Sequence, residues 1–386
     1  MSGKAPEAVV VGGGLAGLAA AVAVARSGLE TVHLAPKGPR DQRTSALMMP
    51  SVDYLRSAGL VTEPSEVGHP LTQIRIIDAT DRLIRAPETL FDSAEAGLPA
   101  FGWNFPNVKL TEAFETARAA LPNLTTREVA VTSVEPGPDG TRLTLADGST
   151  LDTPLLVGAD GKKSLIRASA GFRARENGFT QSALVCDLQL GRPIGGASIE
   201  FHYPEGPFTL VPAGYNRANL VWIDDREVLK AAQASGPEQL KATFREKSKR
   251  LFGSIELLTP THIFPLSSIT VDKAGMSGIV LVGEAAHAFP PIGAQGLNLS
   301  LRDVADLAAA LATADRAPGW ATRVSDDYAN RRSGDLSRTG SMVDALFRSL
   351  LAEFLPSQAL RAGGLWALKL VPPLRRQAFG LGMGSR

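Results

Sequence analysis

The chain has 386 residues, which exceeds one ordinary domain of about 100–200 residues and predicts two or three domains. Its 40 Lys and Arg residues against 39 Asp and Glu give a net charge of +1, which argues against a nucleic-acid-binding protein. The single cysteine, Cys186, excludes an internal disulfide and a cysteine-based zinc site and favours a reducing compartment. These features together predict a cytoplasmic globular protein of enzyme size.

The first predicted elements lie in a stretch of eighteen uncharged residues between Glu7 and Arg26, long enough to suggest a membrane span or a signal sequence. The order of the residues favours a different structure. Three valines at 9–11 suit a buried strand, three glycines follow, and the alanine-rich stretch 15–25 favours a helix. A strand, a glycine turn and a helix begin a βαβ unit, whose second strand is predicted at Thr31–Leu34.

The glycine turn carries the pattern Gly12-x-Gly14-x-x-Gly17, with Leu15 and Ala16 at the start of the helix. The first glycine permits a tight turn, the second admits a pyrophosphate, and the third allows the helix to pack closely on the strand. The helix N-terminus adds unpaired N–H groups and a partial positive charge, which favour phosphate. The place of the motif predicts a dinucleotide site, whereas the pattern alone would also suit a plain strand–helix turn.

This dinucleotide site lacks one usual feature, because strand two ends in Ala35 and Pro36 where a carboxylate normally binds the ribose hydroxyls. Loss of that carboxylate is compatible with the 2′-phosphate of NADP, since Lys37 and Arg40 are close in sequence. It is also compatible with an FAD whose ribose is held by another group. The motif by itself does not choose between the two cofactors.

Farther along the chain, turn signals separate short strands and then helices. The predicted elements are strands at Arg127–Val134 and Thr141–Leu145 joined by a hairpin, a buried strand at 155–157, strands at Ser198–His202, Phe208–Val211 and Asn219–Ile223, helices at Arg226–Ala234 and Glu238–Lys249, a strand at Ile279–Val282, and helices after Leu297. This order suggests a β-rich substrate domain inserted into a nucleotide-binding domain.

A second candidate site follows the strand at 155–157, in the sequence Gly158-Ala159-Asp160-Gly161. A strand that ends there would place the Asp160 carboxylate at the sheet edge, where it can accept a hydrogen bond from a ligand hydroxyl. The alternative is a surface Asp-Gly turn, which is common in proteins. The residues alone leave both interpretations open.

A third candidate site follows the strand at Ile279–Val282 and combines a stiff Pro-Pro wall with glycines at the start of a helix. Backbone N–H groups at such a helix start suit the anionic edge of a reduced flavin. The residues expected to face it are Pro291, Gly293, Gly296, Leu297 and Asn298. His287 is predicted to be structural or close to the flavin rather than a catalytic base, because the sequence identifies no carboxylate partner for it.

In this order, the three motifs resemble those of class A flavin-dependent aromatic monooxygenases, and most of all the UbiH-type ubiquinone-biosynthesis hydroxylases. Other segments fit as well, namely 41–47, 101–107, 206–212 and Arg302-Asp303. The resemblance implies an α/β fold like that of para-hydroxybenzoate hydroxylase, with a Rossmann-like domain for noncovalent FAD (1–72, 100–172 and 272–342). It also implies an interleaved β-sheet substrate domain (73–99 and 173–271) and a C-terminal helical segment (343–386).

The resemblance further implies an activity. In the family, reduced FAD and O2 form a C4a-hydroperoxide, whose distal oxygen is transferred to a phenol ring. The implied partners are a polyprenylated phenol, O2, and a reductant that is either NAD(P)H or a redox protein. The tail of such a substrate implies contact with a membrane surface or with other ubiquinone-biosynthesis proteins. The sequence identifies no general base and no metal-ligand pattern.

The resemblance assigns a role to two further residues. Glu284 stands where the family usually has Asp, or Asn in some relatives, which implies a contact to the flavin ribityl chain through a side chain one methylene longer. Arg43 is placed by the resemblance near the flavin or its phosphates. The alternative for Arg43 is a surface arginine that pairs with Asp41.

The C-terminal segment from Val343 to Arg386 carries six basic and two acidic residues among leucines, phenylalanines and Trp366. This composition suits an interfacial helix at the inner face of the membrane, and a helical pair packed on the core is an equal alternative. Two other functions stay open from the sequence. They are an FAD monooxygenase for a soluble aromatic metabolite and a flavin-free scaffold of a biosynthetic complex.

Overall fold

The computed structural model describes residues 6–80, 87–291 and 295–351, without the side chains of 339 and 341–351. The strands are β1 (Ala8–Val11), β2 (Thr31–Leu34), β3 (Thr44–Met48), β4 (His69–Leu71), β5 (Gln73–Asp78), β6 (Thr89–Asp92), β7 (Gly102–Pro106), β8 (Leu124–Arg127), β9 (Val131–Gly137), β10 (Gly140–Leu145), β11 (Thr150–Thr153), β12 (Leu155–Gly158), β13 (Ala174–Leu190), β14 (Ala197–His202), β15 (Pro207–Pro212), β16 (Arg217–Asp225), β17 (Ile255–Leu257), β18 (His262–Val271), β19 (Gly275–Met276), β20 (Ile279–Leu281) and β21 (His287–Ala288). The α-helices are α1 (Leu15–Arg26), α2 (Met49–Ser57), α3 (Pro64–Val67), α4 (Asn107–Ala119), α5 (Leu165–Ser169), α6 (Arg226–Ala234), α7 (Pro237–Lys247), α8 (Gln295–Thr313) and α9 (Trp320–Leu351).

A six-stranded sheet in the order β19-β20-β12-β1-β2-β8 forms the nucleotide-binding part, and all its neighbours pair in parallel except β19 with β20. Parallel strands of this kind are covered on both faces, which explains why β1 and β12 are buried at every residue. Helix α1 is buried along most of its length and packs against α8. The eighteen uncharged residues therefore form the predicted strand, turn and helix of a sheet core.

A nine-stranded sheet forms the second layer, with β21-β18-β13-β16-β15-β14-β5-β6 in order and β17 paired to β13. Side chains alternate along its central strands, as the period of a β-strand requires. One face packs on α6 and α7 through Leu184, Trp222 and Phe244. The other face carries the half-buried Val185 and Val221 and the buried Asn219, which contacts Asn104 of β7.

Two three-stranded sheets complete the described fold, β11-β10-β9 and β3-β7-β4. The hairpin of β9 and β10 is confirmed, but the predicted strand Arg127–Val134 is wrong as a single element. It divides into β8, which joins the parallel sheet, and β9, which turns away into the hairpin. The sequence analysis also missed β3, β7 and β18, whose residues do not show the alternation or the flanking turns that it required.

The nine-stranded sheet takes its strands from residues 73–92 and 174–271 and adds β21 from the third motif. The division into an FAD-binding domain, an inserted substrate domain and a C-terminal segment remains a proposal. Helix α9 runs without a break across the proposed boundary at residue 343, and residues 352–386 lie outside the described part of the chain. Among the described helices, none is long and apolar enough to cross a membrane.

Candidate flavin site

The three motifs meet at the carboxyl ends of β1, β12 and β20, three neighbouring strands of the parallel sheet. A Cβ added at Gly12 would lie 2.1 Å from the carbonyl oxygen of Ala159, which joins the first motif to the second. A Cβ added at Gly283 would lie 2.9 Å from Cβ of Ala16, which joins the third motif to the first. The carboxyl ends of parallel strands are where open α/β sheets bind nucleotides.

The glycine turn has the backbone shape that the sequence predicts. Gly12 has φ 134°, and a Cβ at Gly17 would lie only 1.9 Å from the Gly12 carbonyl oxygen, so neither site admits a side chain. A Cβ at Gly14 would meet nothing within 4 Å. The turn therefore leaves no room for a side chain at Gly12 or Gly17 but leaves free space at Gly14, as an approaching pyrophosphate requires.

Helix α1 begins at this turn, and its first backbone N–H groups are not capped by a side chain. Gly14 is the N-cap, and no acidic residue stands in the first turn. The half-buried Leu15 and Ala16 belong to that first turn. Its backbone N–H groups are thus available to phosphate oxygens.

A buried histidine on the neighbouring strand β2 contacts the glycine turn. Nε2 of His33 lies 2.9 Å from the Gly12 carbonyl oxygen. Burial lowers the pKa of His33, so the ring is neutral near pH 7, and Nε2 carries the hydrogen because the carbonyl can only accept. His33 therefore fixes the position of Gly12.

The carboxylate of Asp160 is hydrogen-bonded to the start of α5, whose N-cap is Ser164. It accepts a hydrogen bond from Ser164 Oγ at 2.5 Å and from the N–H of Ile166 at 3.2 Å, at the start of α5. The side chain is half-buried. Of the two sequence interpretations, this contact supports a structural turn, and a contact between Asp160 and the cofactor stays a prediction.

Arg167 of α5 connects the second motif to the third. It is 8 % exposed and donates from Nη1 to the carbonyl oxygen of Ala285 at 3.0 Å. Its Nη2 donates to the carbonyl oxygen of Lys162 at 2.6 Å. The sequence-based predictions gave this arginine no role.

His287 has the carboxylate partner that the sequence did not reveal. Its Nε2 lies 2.6 Å from Oδ2 of Asp303, and the two side chains are 1 % and 0 % exposed. The same oxygen accepts the N–H of Gly283 at 2.9 Å. The statement that His287 lacks a partner is therefore corrected, because Asp303 reaches it from α8 across the third motif.

Asp303 also pairs with Arg332 of α9, whose Nε lies 2.7 Å from Oδ1. Arg332 is fully buried and also contacts the carboxylates of Asp306 and Asp335. Burial alone would raise the pKa of Asp303, but His287 and Arg332 outweigh it and hold this pKa below its ordinary value. Burial likewise opposes the charge on Arg332, but the surrounding carboxylates raise its pKa, so both groups are charged at neutral pH.

Arg43 pairs with Asp41 through two hydrogen bonds of 2.8 Å. Asn107 donates to the same carboxylate at 2.9 Å and so fixes the pair to α4. Asp41 is the main cause that raises the pKa of Arg43, and the charge of Glu284 in the third motif contributes to the same shift. The alternative pairing with Asp41 is thus observed, and a contact between Arg43 and the flavin stays a prediction.

The remaining predicted residues of the third motif have different placements. Glu284 and Pro291 are exposed at this edge of the sheet, Gly296 and Leu297 lie in the first turn of α8, and Gly293 lies outside the described residues. The side-chain amide of Asn298 accepts the N–H of Met48 and donates to the carbonyl oxygen of Ala46, each at 2.9 Å. Asn298 therefore holds β3 against α8 with its side chain.

Comparison with known proteins decides the family. The sequence profile of the FAD-binding-domain family matches residues 6–334. The chain belongs to this family. It is an FAD-dependent monooxygenase, as its similarity to curated hydroxylases over almost the whole length indicates.

Two of those relatives align with nearly all of this monooxygenase. Ubiquinone hydroxylase UbiL from Rhodospirillum rubrum is 30% identical over 393 residues, which cover 99% of this chain and 90% of the relative. The 3-demethoxyubiquinol 3-hydroxylase of Escherichia coli K12 is 28% identical and covers 100% of both chains.

Solved structures share the fold of this monooxygenase. The p-nitrophenol 4-monooxygenase PnpA from Pseudomonas putida superposes with a TM-score of 0.79 at 19% identity and covers 99% of both chains. HpxO from Klebsiella pneumoniae, complexed with FAD and uric acid, superposes with a TM-score of 0.77 at 18% identity and covers 97% of this chain and 96% of its own. The predicted fold class is therefore confirmed.

FAD fits the residues of this monooxygenase. The open space at Gly14 and the uncapped start of α1 suit a pyrophosphate, and the exposed carboxylate of Glu284 can accept a hydrogen bond from a ribityl hydroxyl.

The network around Asp303 was not predicted from the sequence, although one signal was present. Asp303 lies on the same face of α8 as Leu299 and Leu307, four residues away on either side, so an acid stands in an apolar stripe.

Proposed function

We propose that this monooxygenase hydroxylates the ring of a polyprenylated phenol in ubiquinone biosynthesis. Two full-length relatives carry names of ubiquinone-pathway hydroxylases, which supports the proposal. The observation that carries it is an apolar, half-buried face on the nine-stranded sheet. A ring with a polyprenyl tail needs such a surface, because burial of its apolar area supplies most of the binding free energy.

This substrate face is defined by Val185, Val221, Thr209 and Val211, each of which is half-buried. The strand register places Val185 and Thr209 on either side of Val221. Their neighbours in sequence point the opposite way and pack on α6 and α7. Among the described elements, no helix packs extensively against the substrate face, which leaves it available for a ligand in this proposal.

The substrate face looks toward the flavin-site side of the molecule. Asn219 lies on it next to Val211, and its Oδ1 accepts a hydrogen bond of 2.7 Å from Asn104 of β7. Asn104 pairs with Ala46 of β3, the strand that Asn298 of the third motif holds. A short chain of contacts thus connects the flavin motif to the substrate face.

One carboxylate stands at the end of the substrate face. Asp187 lies opposite Asn219 and accepts a hydrogen bond of 2.6 Å from its Nδ2. Burial raises the pKa of Asp187, although Asn219 and Arg217 partly oppose the shift. We propose that Asp187 accepts a hydrogen bond from the ring hydroxyl and so orients the ring.

Bound FAD supplies the oxygen chemistry once it is reduced. The chain itself binds and orients the reactants. The start of α1 would hold the pyrophosphate and Glu284 would hold the ribityl chain, while Asn298 fixes the end of β3 to α8. The apolar substrate face excludes water from the ring, and Asp187 orients its hydroxyl.

The proposed partners are a polyprenylated phenol, O2 and a reductant, and the proposed location is the cytoplasm at the inner face of the membrane. A polyprenyl tail resides in lipid, so the enzyme must take its substrate from the bilayer or from another protein. Vesicle co-sedimentation of the full chain tests the role of the basic C-terminal segment. Anionic vesicles should retain less of an Arg375→Ser/Arg376→Ser double variant than of the unaltered chain.

A deletion strain provides the main test of the function. Its quinone extract should contain a polyprenylated phenol that lacks one hydroxyl, and this compound should disappear when the gene is returned. Return of a Gly14→Asp variant, which blocks the pyrophosphate space, should leave the compound in place. A normal quinone profile together with an accumulated soluble aromatic acid would instead support the second function, a monooxygenase for a soluble metabolite.

A further inference from the structure

The carboxylate that usually binds the adenosine ribose is missing at the end of β2, where Ala35 follows Leu34. The 2′ and 3′ hydroxyls of a ribose are hydrogen-bond donors, and an acceptor at this edge of the sheet would bind them. Strand β8 ends beside β2, with Leu34 paired to Arg127. Glu128 is the residue that directly follows β8.

Glu128 stands at the level of Ala35. The N–H of Ala35 donates to the carbonyl oxygen of Arg127 at 3.0 Å, so the parallel pairing continues one residue past β2. Oε2 of Glu128 lies 2.8 Å from Nζ of Lys37, two residues beyond Ala35. The carboxylate therefore lies over the loop that follows β2, where the missing acid would act.

We infer that Glu128, from the neighbouring strand, supplies the carboxylate that binds the adenosine ribose of FAD. Its side chain is 56% exposed and, among the described residues, it pairs with the exposed Lys37, so a ribose can reach it. An ion pair between two exposed side chains contributes little to stability, which leaves the carboxylate free to exchange its partner. This inference rests on FAD as the cofactor and does not depend on the proposed substrate.

The ion pair also bears on the other cofactor that the sequence left open. Lys37 could have bound the 2′-phosphate of NADP, but Glu128 neutralises it and would repel a phosphate. A carboxylate beside the ribose instead favours free hydroxyls. The pair thus selects the adenosine of FAD over a 2′-phosphorylated nucleotide.

Flavin dissociation tests the inference. The full-length protein is reconstituted with FAD or with an FAD analogue that lacks the 2′ and 3′ hydroxyls of the adenosine ribose, and release is followed by flavin fluorescence on dilution. Glu128→Gln should weaken FAD binding about tenfold, the effect of losing a charge-assisted hydrogen bond. The same substitution should change binding of the dideoxy analogue by less than about twofold, because that analogue has no hydroxyl to lose.

Two further variants separate the ribose contact from other effects. Lys37→Met removes the ion pair but keeps the carboxylate, so it should bind FAD at least as tightly as the unaltered protein. Glu115→Gln, at an exposed site on α4, should match the unaltered protein. The inference is wrong if Glu128→Gln binds FAD normally, if Lys37→Met weakens FAD as much as Glu128→Gln, or if the loss is equal for FAD and the analogue.

Discussion

Nε2 of His287 lies 2.6 Å from Oδ2 of Asp303, and this buried contact joins the loop after β20 to helix α8. The same carboxylate oxygen accepts the N–H of Gly283, while Oδ1 pairs with Arg332 of α9. A single side chain therefore fixes both ends of the segment Gly283–His287 and connects it to two helices. Glu284, the proposed ribityl ligand, lies inside that segment.

Substitution of Asp303 should destabilise the protein. Asp303→Ala leaves the fully buried Arg332 with fewer carboxylates and leaves the Gly283 N–H unpaired, so the free energy of unfolding should fall by about 3–5 kcal/mol. Asp303→Asn keeps an acceptor for the N–H and should cost less. Urea unfolding measures both, and Asp326→Ala, at an exposed site on α9, is the control. Equal stability of Asp303→Ala and the control would contradict the assigned role.

The same network predicts a pH dependence. The pKa of Asp303 is lower in the folded protein than in the unfolded chain, where it is about 3.9, so its ionised form stabilises the fold at higher pH. This stabilisation is present above about pH 4–5 and is lost as the pH falls through the folded pKa. Unfolding measured from pH 7 to pH 3 should show the stability difference between the unaltered protein and Asp303→Asn shrinking. A constant difference would exclude a titrating Asp303.

Substitution by alanine at two glycines of the first motif should affect two different properties, stability at Gly17 and flavin binding at Gly14. Gly17→Ala places a methyl group 1.9 Å from the Gly12 carbonyl oxygen and should lower the free energy of unfolding by at least about 2 kcal/mol. Gly14→Ala meets no atom within 4 Å and should fold normally, but its methyl group enters the proposed pyrophosphate space. Its flavin content after purification should fall. Normal flavin content in Gly14→Ala would argue against a pyrophosphate above that glycine.

Glu284→Ala should weaken FAD binding, because a charge-assisted hydrogen bond contributes about 1.5–3 kcal/mol. Flavin release on dilution gives the dissociation constant. Glu284→Asp restores a carboxylate with one methylene fewer and should recover part of the loss. Glu205→Ala, at another exposed site, serves as the matched control. Unchanged flavin occupancy in Glu284→Ala would remove Glu284 from the site.

Asp187→Asn should weaken the binding of a prenylated phenol about tenfold, since the ring hydroxyl loses a charged acceptor. The holoenzyme is titrated with 2-geranylphenol and with its methyl ether, and binding is read from the flavin absorption spectrum. The unaltered protein should prefer the phenol, and Asp187→Asn should bind both alike. Asp139→Asn, in the exposed turn between β9 and β10, is the control. An unchanged preference in Asp187→Asn would place the hydroxyl elsewhere.

Much of the flavin site could be predicted because each of its glycines shapes a turn between elements that are adjacent in the chain. The strand Thr31–Leu34 and the helix Arg226–Ala234 were predicted with the observed bounds, since periodicity and capping residues are read within one element. The strand predicted at Arg127–Val134 failed for the opposite reason. Arg127 and Val131 belong to different sheets, and their separation depends on which neighbouring strand each one pairs with.

The amino-acid sequence is sufficient to establish the strand–glycine–helix unit, the order of the three motifs and the family resemblance. These features depend on residues close together in the chain, where backbone freedom and side-chain size decide the conformation. The partners of His287, Ala285 and Asn219 become evident in the folded chain. Asp303, Arg167 and Asn104 lie 16, 118 and 115 residues from them, and folding alone brings such groups within hydrogen-bond distance. The same is true of Glu128, which β8 carries to the place beside Ala35 where strand two lacks its acid.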